Sequence, residues 1–323
     1  SKKWSRLYCF GECLYLLGEY FEDITFYEKA LEQFQYAVDL DENNKNAWHG
    51  LNYVSVVLGV IYQNEKFLNN ALANYSKGVD VDSENYRIFD EWADIYIKLA
   101  VLTNEPDYVG ITVEKLEQSI NMQSEDISTE TLYKYGFALD FLGDIEEESR
   151  YYEKAIVALE QALDIDPEDD DVRYVLGTAF LHLGESTAEV EYFQKAIDTF
   201  QKLVTKNPEE ELAWNDYGIA LTSLAQLVSD SVLKTHEPYF EEAIQKLHRA
   251  VNLGYTRAYY NLACVYSLCG NQTEAMSYIE KAAEYEDGLP PITEMEHDEW
   301  ITELWHTQQL QDFLRSEERR VGK

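Results

Sequence analysis

The chain repeats itself at a spacing of 41 residues. Two blocks show the repeat most clearly, since each has a small residue, a Leu-Gly pair, an Ala-led apolar run and a closing proline in the same order. The closing prolines, Pro167 and Pro208, lie 41 residues apart. Periods of about 20–50 residues are typical of arrays in which each repeat is one supersecondary unit that stacks on its neighbours. The repeat therefore favours one array of small units over two globular domains.

The same frame extends in both directions along the chain. Small or short side chains recur once in the first helical pattern of each unit, at Gly11, Asn52, Ala93, Gly136, Gly177, Gly218 and Ala263. Others recur in the second pattern, at Ala30, Ala71, Thr112, Ala155, Ala196, Ala243 and Ala275. Such positions let two helices approach closely while Phe, Tyr and Leu fill the space between them. The pattern predicts seven helical hairpins.

This pattern resembles the tetratricopeptide repeat, a 34-residue unit of two helices with Leu-Gly and aromatic residues on the first helix and Ala, an aromatic residue and Pro on the second. The resemblance covers residues 1–287 and is tightest in 169–208 and 256–287. It implies an all-α fold, a right-handed α-solenoid of about seven helical hairpins with a C-terminal capping segment. The implied units are 4–43, 44–84, 85–125, 128–168, 169–209, 210–255 and 256–287, followed by a cap over 288–314.

Six of the seven units are longer than the family consensus, and in five of them the excess is seven residues. Seven residues make almost two helical turns, so the apolar face returns nearly in phase. The added residues around Tyr151 and in 189–196 are therefore predicted to be helix. In the sixth unit we expect a protruding loop that ends at Pro238, with the proline in the first turn of the next helix.

The two ends of the chain need separate treatment. The sequence begins at Ser1 without Met, and we expect that an upstream signal or domain is missing. The last nine residues, 315–323, resemble a translated sequencing adapter, and we interpret them as a non-native tail. The alternative is a genuine basic tail.

The formal net charge of −35 makes binding to nucleic acid unlikely in physical terms, since phosphates would be repelled. A hydrophobic content of 46% excludes a disordered acidic tail. No apolar run is long enough for a membrane span, and we expect a cytoplasmic protein. The four cysteines have neither disulfide-framework nor zinc-ligand spacing, and we expect them to be buried as small hydrophobic residues.

No catalytic signature is found in the sequence, which has no glycine-rich phosphate loop, G-x-S-x-G or H-E-x-x-H motif. Glu296, His297 and Asp298 with His306 form the one cluster that suggests a metal site. In a chain with 61 carboxylates such neighbours arise by chance. We therefore predict no enzyme activity, no cofactor and no metal.

The family resemblance also implies a binding surface, because the first helix of each tetratricopeptide unit lines the concave groove. The residues it places at one rung of that helix are Tyr8, His49, Asp90, Tyr133, Tyr174, Asn215 and Tyr260. Four residues further on it places Glu12, Tyr53, Asp94, Phe137, Thr178, Ile219 and Cys264, and Asp140 adds negative charge to the same surface. A ladder with four tyrosines suits an extended peptide or a partner helix. The alternative is that these tyrosines pack between adjacent first helices and the acids are solvated.

The sequence thus predicts a non-enzymatic scaffold or adaptor for protein–protein interaction. Family members that hold acidic chaperone tails use a clamp of Lys, Arg and Asn in the groove, whereas this chain has mostly Tyr, Asp and Glu there. We expect a neutral-to-basic peptide or protein segment as the ligand. Two alternatives remain: the repeat region of a larger enzyme, such as a glycosyltransferase or kinase, and a secretion or assembly chaperone.

Overall fold

The computed structural model describes residues 2–81, 85–103, 105–123, 127–229 and 237–321, and this part of the chain is α-helical without a β-strand. The prediction of an all-α fold is confirmed. The helices are α1 (Lys2–Phe21), α2 (Ile24–Leu40), α3 (Lys45–Ile61), α4 (Glu65–Val81), α5 (Arg87–Thr103), α6 (Asp107–Gln123), α7 (Thr129–Glu146), α8 (Ser149–Ile165), α9 (Asp170–Thr187), α10 (Val190–Lys206), α11 (Glu211–Ser229), α12 (Glu237–Leu253), α13 (Ala258–Leu268), α14 (Gln272–Ala282), α15 (Ile292–Met295), α16 (Thr302–Trp305) and α17 (Gln308–Val321).

The contacts divide the chain into two compact bodies. The N-terminal body comprises 1–147 with 164–166, and the C-terminal body comprises 148–163 with 167–323. Consecutive helices pack as hairpins within each body: α1 with α2, α3 with α4 and α5 with α6 in the first, and α9 with α10, α11 with α12 and α13 with α14 in the second. The predicted unit 128–168 contains α7 and α8, which belong to different bodies.

The helices begin at polar caps that the sequence supplies. The side chain of Ser128 accepts a hydrogen bond from the backbone N–H of Thr131 at the start of α7. Asp169 does the same for Val172 at the start of α9, at 3.0 Å. Each cap satisfies one of the N–H groups that the first turn leaves unpaired, which stabilises a helix by about 1 kcal/mol.

The link between the two helices of a long hairpin contains one residue in the left-handed region. Glu22, Gln63, Glu147 and Ala188 have φ values of 52°, 48°, 54° and 54°. At Ala188 the backbone N–H donates to the carbonyl of Gly184, which closes the last turn of α9. A single left-handed residue thus ends the first helix and lets the second begin two residues later.

The seven additional residues lengthen both helices of a hairpin. Measured from the small residue of the repeat, α9 continues for ten residues beyond Gly177, whereas α13 of the shorter last unit continues for five beyond Ala263. Similarly, α10 begins six residues before Ala196, but α14 begins three before Ala275. The prediction of helix in 189–196 is confirmed from Val190 onward. In the sixth unit α12 begins at Glu237, so Pro238 lies in its first turn as predicted, while 230–236 lies outside the described residues.

The repeated glycines allow aromatic rings to enter the helix contacts. A Cβ atom built on Gly177 would lie 2.6 Å from the ring of Phe200, and one built on Gly11 would lie 2.9 Å from the ring of Phe34. Phe200 is fully buried. Burying a side chain of this size stabilises the fold by about 2–3 kcal/mol. The small positions of the repeat therefore exist to admit these rings.

The segment after α14 packs against the last hairpin. Met295, Ile301, Leu304, Leu310 and Leu314 are buried in one cluster with residues of α13 and α14. Leu304, Leu310 and Leu314 belong to the apolar pattern that the sequence shows in this segment. Helix α17 continues through Leu314 to Val321, so the predicted tail 315–323 begins inside a helix, and its non-native origin stays a prediction.

Two expectations from composition meet the structure differently. No helix in the described ranges combines the length and apolar character needed to cross a bilayer. The expectation of buried cysteines is wrong for three of the four: Cys264 is buried, but Cys9, Cys13 and Cys269 are exposed. Cys9 and Cys13 lie on an outer side of α1, and Cys269 caps the C-terminal end of α13.

Candidate functional site

The first helices of the hairpins carry the predicted binding residues, and their common surface is called the A-helix surface below. At its N-terminal end Tyr8 donates a hydrogen bond to Glu12, and Tyr15 donates one to Glu19. The ring of Tyr15 meets the ring of Tyr53 edge to face at 5.2 Å, which links α1 to α3. Tyr53 and Glu12 are exposed, so this end offers an aromatic surface with a carboxylate beside it.

An ion pair links α3 to α5 on the same surface. Nδ1 of His49 lies 2.9 Å from a carboxylate oxygen of Glu91. The hydrogen bond to Glu91 raises the pKa of His49 above its usual value of 6.5, and partial burial opposes this shift. The imidazole of His49 is more than half exposed, so it remains accessible to a ligand.

The next contacts join α5 to α7. The hydroxyl of Thr131 donates to Oδ2 of Asp90 at 2.7 Å, and the ammonium of Lys134 lies 2.8 Å from Oδ2 of Asp94. Asp90 is buried, and burial raises the pKa of its carboxyl group. Its Oδ1 atom has no hydrogen-bond partner among the described residues. Asp90 therefore connects two hairpins from inside, whereas the partly exposed Asp94 stays at the surface.

A cavity of about 520 Å³ opens on this part of the surface, within the N-terminal body. Its lining includes the predicted residues His49, Tyr53 and Asp94. It also contains Asn52, which is almost fully buried and whose Oδ1 atom has no partner in the described part of the chain. The lining carries both signs of charge, since Lys134 lies near Asp94. The cavity can therefore accept a polar ligand group that donates a hydrogen bond.

Three predicted residues lie on α7. Tyr133 is half-buried, Phe137 is exposed and Asp140 is buried. The exposed ring of Phe137 is one of the large apolar groups on the surface of the N-terminal body. The burial of Asp140 places this acid among packed helices rather than in the solvent.

A hydrogen-bonded chain links α9, α11 and α13 in the C-terminal body. The hydroxyl of Tyr174 donates to Oδ2 of Asp216 at 2.6 Å, and the amide of Asn215 donates to Oδ1 of the same carboxylate at 2.9 Å. Asn261 in turn donates to Oδ1 of Asn215 at 2.7 Å. Burial raises the pKa of Asp216, and burial together with the neighbouring carboxylate raises the pKa of Tyr174. Thr178, one turn after Tyr174, bonds back to the carbonyl of Val175.

The last rung is engaged by the C-terminal segment. The hydroxyl of the buried Tyr260 donates to Oδ2 of Asp298 at 2.6 Å, and the thiol of Cys264 lies 3.7 Å from the same oxygen. Burial raises the pKa of both groups. Asp298 thus occupies, for the last hairpin, the place that Asp216 occupies for Tyr174.

A larger cavity, of about 940 Å³, lies beside these residues in the C-terminal body. Its walls come from α11, from α13 and from the segment that follows α14. Asn215, Ile219 and Tyr260, which the sequence predicted, line it together with Asp216. Tyr255, Tyr285, Pro290 and Ile292 supply most of its apolar wall.

The register predicted the rung residues but not their partners. Glu91 and Asp216 each come one residue after a predicted rung position, and Lys134 follows Tyr133 in the same way. Each partner is about one repeat away from the residue that it contacts. A sequence signal therefore exists, namely a polar residue next to the rung in the following unit, but pairing it correctly needs the stacking geometry.

Comparisons with known proteins agree with this architecture. The family model described as tetratricopeptide repeat matches residues 256–287, and the one described as plant specific mitochondrial import receptor subunit TOM20 matches 111–223. The chain contains tetratricopeptide repeats. The resemblance read from the sequence is confirmed, and the matched segment coincides with the last predicted tetratricopeptide unit.

Solved structures show the same fold. A tetratricopeptide repeat protein from Parabacteroides merdae aligns with a TM-score of 0.54 at 15% identity, covering 88% of this chain and 96% of that one. YrrB, a tetratricopeptide protein with an unusual peptide-binding site, aligns with a TM-score of 0.47 at 14% identity, covering 76% and 97%. TTC0263 from Thermus thermophilus aligns with a TM-score of 0.45 at 18% identity, covering 65% and 98%. No curated protein sequence matches the chain.

Proposed function

We propose that this tetratricopeptide protein is a non-enzymatic scaffold that binds a neutral-to-basic protein segment on its A-helix surface. A tetratricopeptide fold implies a scaffold for protein–protein interaction. The observation that carries the finer proposal is the lining of the larger cavity. Four carboxylates, those of Asp216, Glu286, Asp287 and Glu294, line it, and Arg257 is the cationic side chain in its described wall.

The cavity combines this charge with apolar surface. Tyr285 and Ile292 are exposed on its wall, and two prolines beside them add rigid apolar surface. An extended segment can bury its apolar side chains here while a Lys or Arg side chain meets the carboxylates. The net charge of −35 steers a basic partner toward the protein, and salt weakens that steering.

Peptide binding tests this proposal. Labelled peptides of one apolar sequence, with either Lys and Arg or Glu and Asp at the charged positions, are titrated at about 0.05 M and about 0.3 M salt. We expect the basic peptide to bind more tightly and to lose affinity as salt rises. Tighter binding of the acidic peptide would contradict the proposed ligand class.

A pair of double variants locates the binding surface. Replacing Glu286 and Asp287 by Gln and Asn removes two charges from the cavity, and we expect about threefold to tenfold weaker binding of the basic peptide. The matched control replaces Glu153 and Glu160, which are exposed on α8, by Gln. Equal loss in both variants would show general electrostatic attraction and reject the cavity as the binding surface.

A second candidate function is recognition of a mitochondrial targeting segment. It is favoured by the match of 111–223 to the model of the plant import receptor subunit. Such targeting segments are amphipathic, rich in Arg and Ser and poor in acidic residues, which is the charge that suits this chain. An amphipathic Arg-rich peptide and its scrambled version separate the candidates. Preference for the amphipathic order supports targeting recognition, whereas equal binding supports a scaffold that recognises charge alone.

A further inference from the structure

One side of α1 is apolar and exposed although its counterparts in the other hairpins are buried. Phe10 is 54% exposed and Leu17 is 38% exposed, and Cys13 between them is exposed as well. Together with Arg6 they occupy positions 6, 10, 13 and 17, which follow one stripe along the helix. This set is called the α1 outer face.

The repeat identifies what this stripe does elsewhere. The residues 41 positions later in α3 are Ala47, Leu51, Val54 and Leu58, and all four are buried in one core cluster with α2. Leu51 is 3% exposed and Leu58 is 1% exposed. The equivalent residues of α9 and α11 are buried too, at Val172, Leu176, Ala179, Leu183, Ala213, Tyr217, Ala220 and Leu224. The stripe is thus the contact face of a first helix with the second helix of the preceding hairpin.

In α1 the stripe keeps its apolar side chains but lacks that neighbour in the described part of the chain, where α1 packs against α2 and α3. Terminal hairpins of repeat arrays usually present a polar outer face, because an apolar one is exposed to water. Four further large apolar side chains are exposed around the stripe or at the end of the helix, at Leu16, Tyr20, Phe21 and Tyr62. A face of this kind is suited to receive another helix.

We infer that the α1 outer face pairs with the α1 outer face of a second copy of this chain, in antiparallel orientation. The charges at the two ends of α1 favour this occupant. The sequence of the first two turns contains Lys2, Lys3 and Arg6, whereas Glu22 and Asp23 follow the end of the helix. Antiparallel pairing places the basic end of each helix beside the acidic end of the other, where the helix dipole also favours a cation.

The pairing is self-complementary. With the two-fold axis near Cys13, Phe10 of one copy packs near Leu16 and Leu17 of the other, and the Arg6 position lies near Tyr20. This is the isologous geometry of a symmetric dimer. Two otherwise strongly acidic chains thus meet at a helix whose own charges, three basic and two acidic, do not repel. A single helix pair is a small interface, so we expect a dissociation constant of about 1–100 μM.

Sedimentation equilibrium over about 1–200 μM tests the inference. We expect the full chain to pass from monomer to dimer across this range. The double variant Phe10→Glu, Leu17→Glu places like charges in the pair and is expected to remain monomeric at every concentration. The matched control Val157→Glu, Ile165→Glu changes two exposed apolar residues of α8 and should dimerise as the parent does.

Cross-linking keeps the test decisive if the Glu variant does not fold. In a Cys9→Ser, Cys269→Ser background Cys13 is the remaining exposed cysteine, and a short bis-maleimide should join two copies through it. A Cys9→Ser, Cys13→Ser chain, which keeps Cys269, should not be joined. A chain that stays monomeric up to the highest concentration, or that cross-links equally through Cys269, overturns the inference and leaves the α1 outer face to a helix from another protein.

Discussion

At the scale of single residues, the A-helix surface is defined by polar contacts between successive hairpins. His49 with Glu91, Tyr174 with Asp216 and Tyr260 with Asp298 each join a rung position to the unit that follows. The rung therefore both lines the cavities and fastens one hairpin to the next. A substitution at a buried rung residue is expected to affect stability, whereas a substitution at an exposed one should affect binding alone.

The pair of His49 and Glu91 predicts a pH dependence. Because the pKa of His49 is raised above 6.5 in the folded state, the protonated imidazole stabilises the fold at pH values below 6.5. That contribution is lost as the pH rises through the folded-state pKa. Glu12 strengthens the shift and Arg87 opposes it. Since His49 is half exposed, the contribution should not exceed about 1 kcal/mol.

The measurement compares the thermal midpoint of the parent with that of His49→Gln from about pH 5 to about pH 9. We expect the difference between them to be largest at the acidic end and to vanish at the alkaline end. Glu91→Gln serves as a control, since it should remove the same difference. A difference that grows with rising pH would show that the ion pair does not stabilise the fold.

At the scale of the helix pair, the left-handed link residue determines where the first helix ends. Ala188 adopts φ 54° although an alanine has a Cβ atom that crowds the backbone in this region. The repeat places Glu22, Gln63 and Glu147 in equivalent links with the same sign of φ. The hairpins thus maintain a tight reversal without glycine, at some cost in backbone energy.

Ala188→Gly should therefore stabilise the protein. Glycine adopts positive φ without the steric cost, and we expect a gain of about 0.5–1 kcal/mol after the larger unfolded-state entropy is subtracted. The same substitution at Ala73, which is exposed inside α4, should destabilise by about 1 kcal/mol. Urea unfolding of both variants measures the two effects, and a loss of stability at both positions would contradict the role of the link.

At the scale of the whole molecule, the repeats form two bodies whose inner faces are covered by neighbours, and the last hairpin is covered by the C-terminal segment. Five apolar side chains of that segment are buried against α13 and α14, and Asp298 takes the hydroxyl of Tyr260. The segment also forms part of the wall of the larger cavity. Covering the hairpin and shaping the candidate binding surface are thus two results of the same packing.

Truncation separates the covering segment from the predicted tail. A chain that ends at Leu314 should unfold at the same denaturant concentration as the full chain, because Arg315 forms an exposed ion pair of little energy with Asp312. A chain that ends at Asp287 exposes the apolar side of the last hairpin and should lose on the order of 5 kcal/mol. Equal stability of the two truncated chains would show that the segment does not support the last hairpin.

The sequence by itself determined the repeat, the all-α fold and the positions that form the rung, because helical periodicity and the spacing of small residues are local properties of the chain. Tertiary structure alone decided which rung residues are buried. Asp140 and Asp90 read as surface acids in the sequence, yet both are buried, since stacking brings the next helix over them. It also decided that Asp298, far along the chain from Tyr260, completes the last rung, and that Phe10 lies uncovered while Leu51 is buried. The periodic pattern is the same at Phe10 and Leu51, and only the presence of a preceding helix distinguishes them.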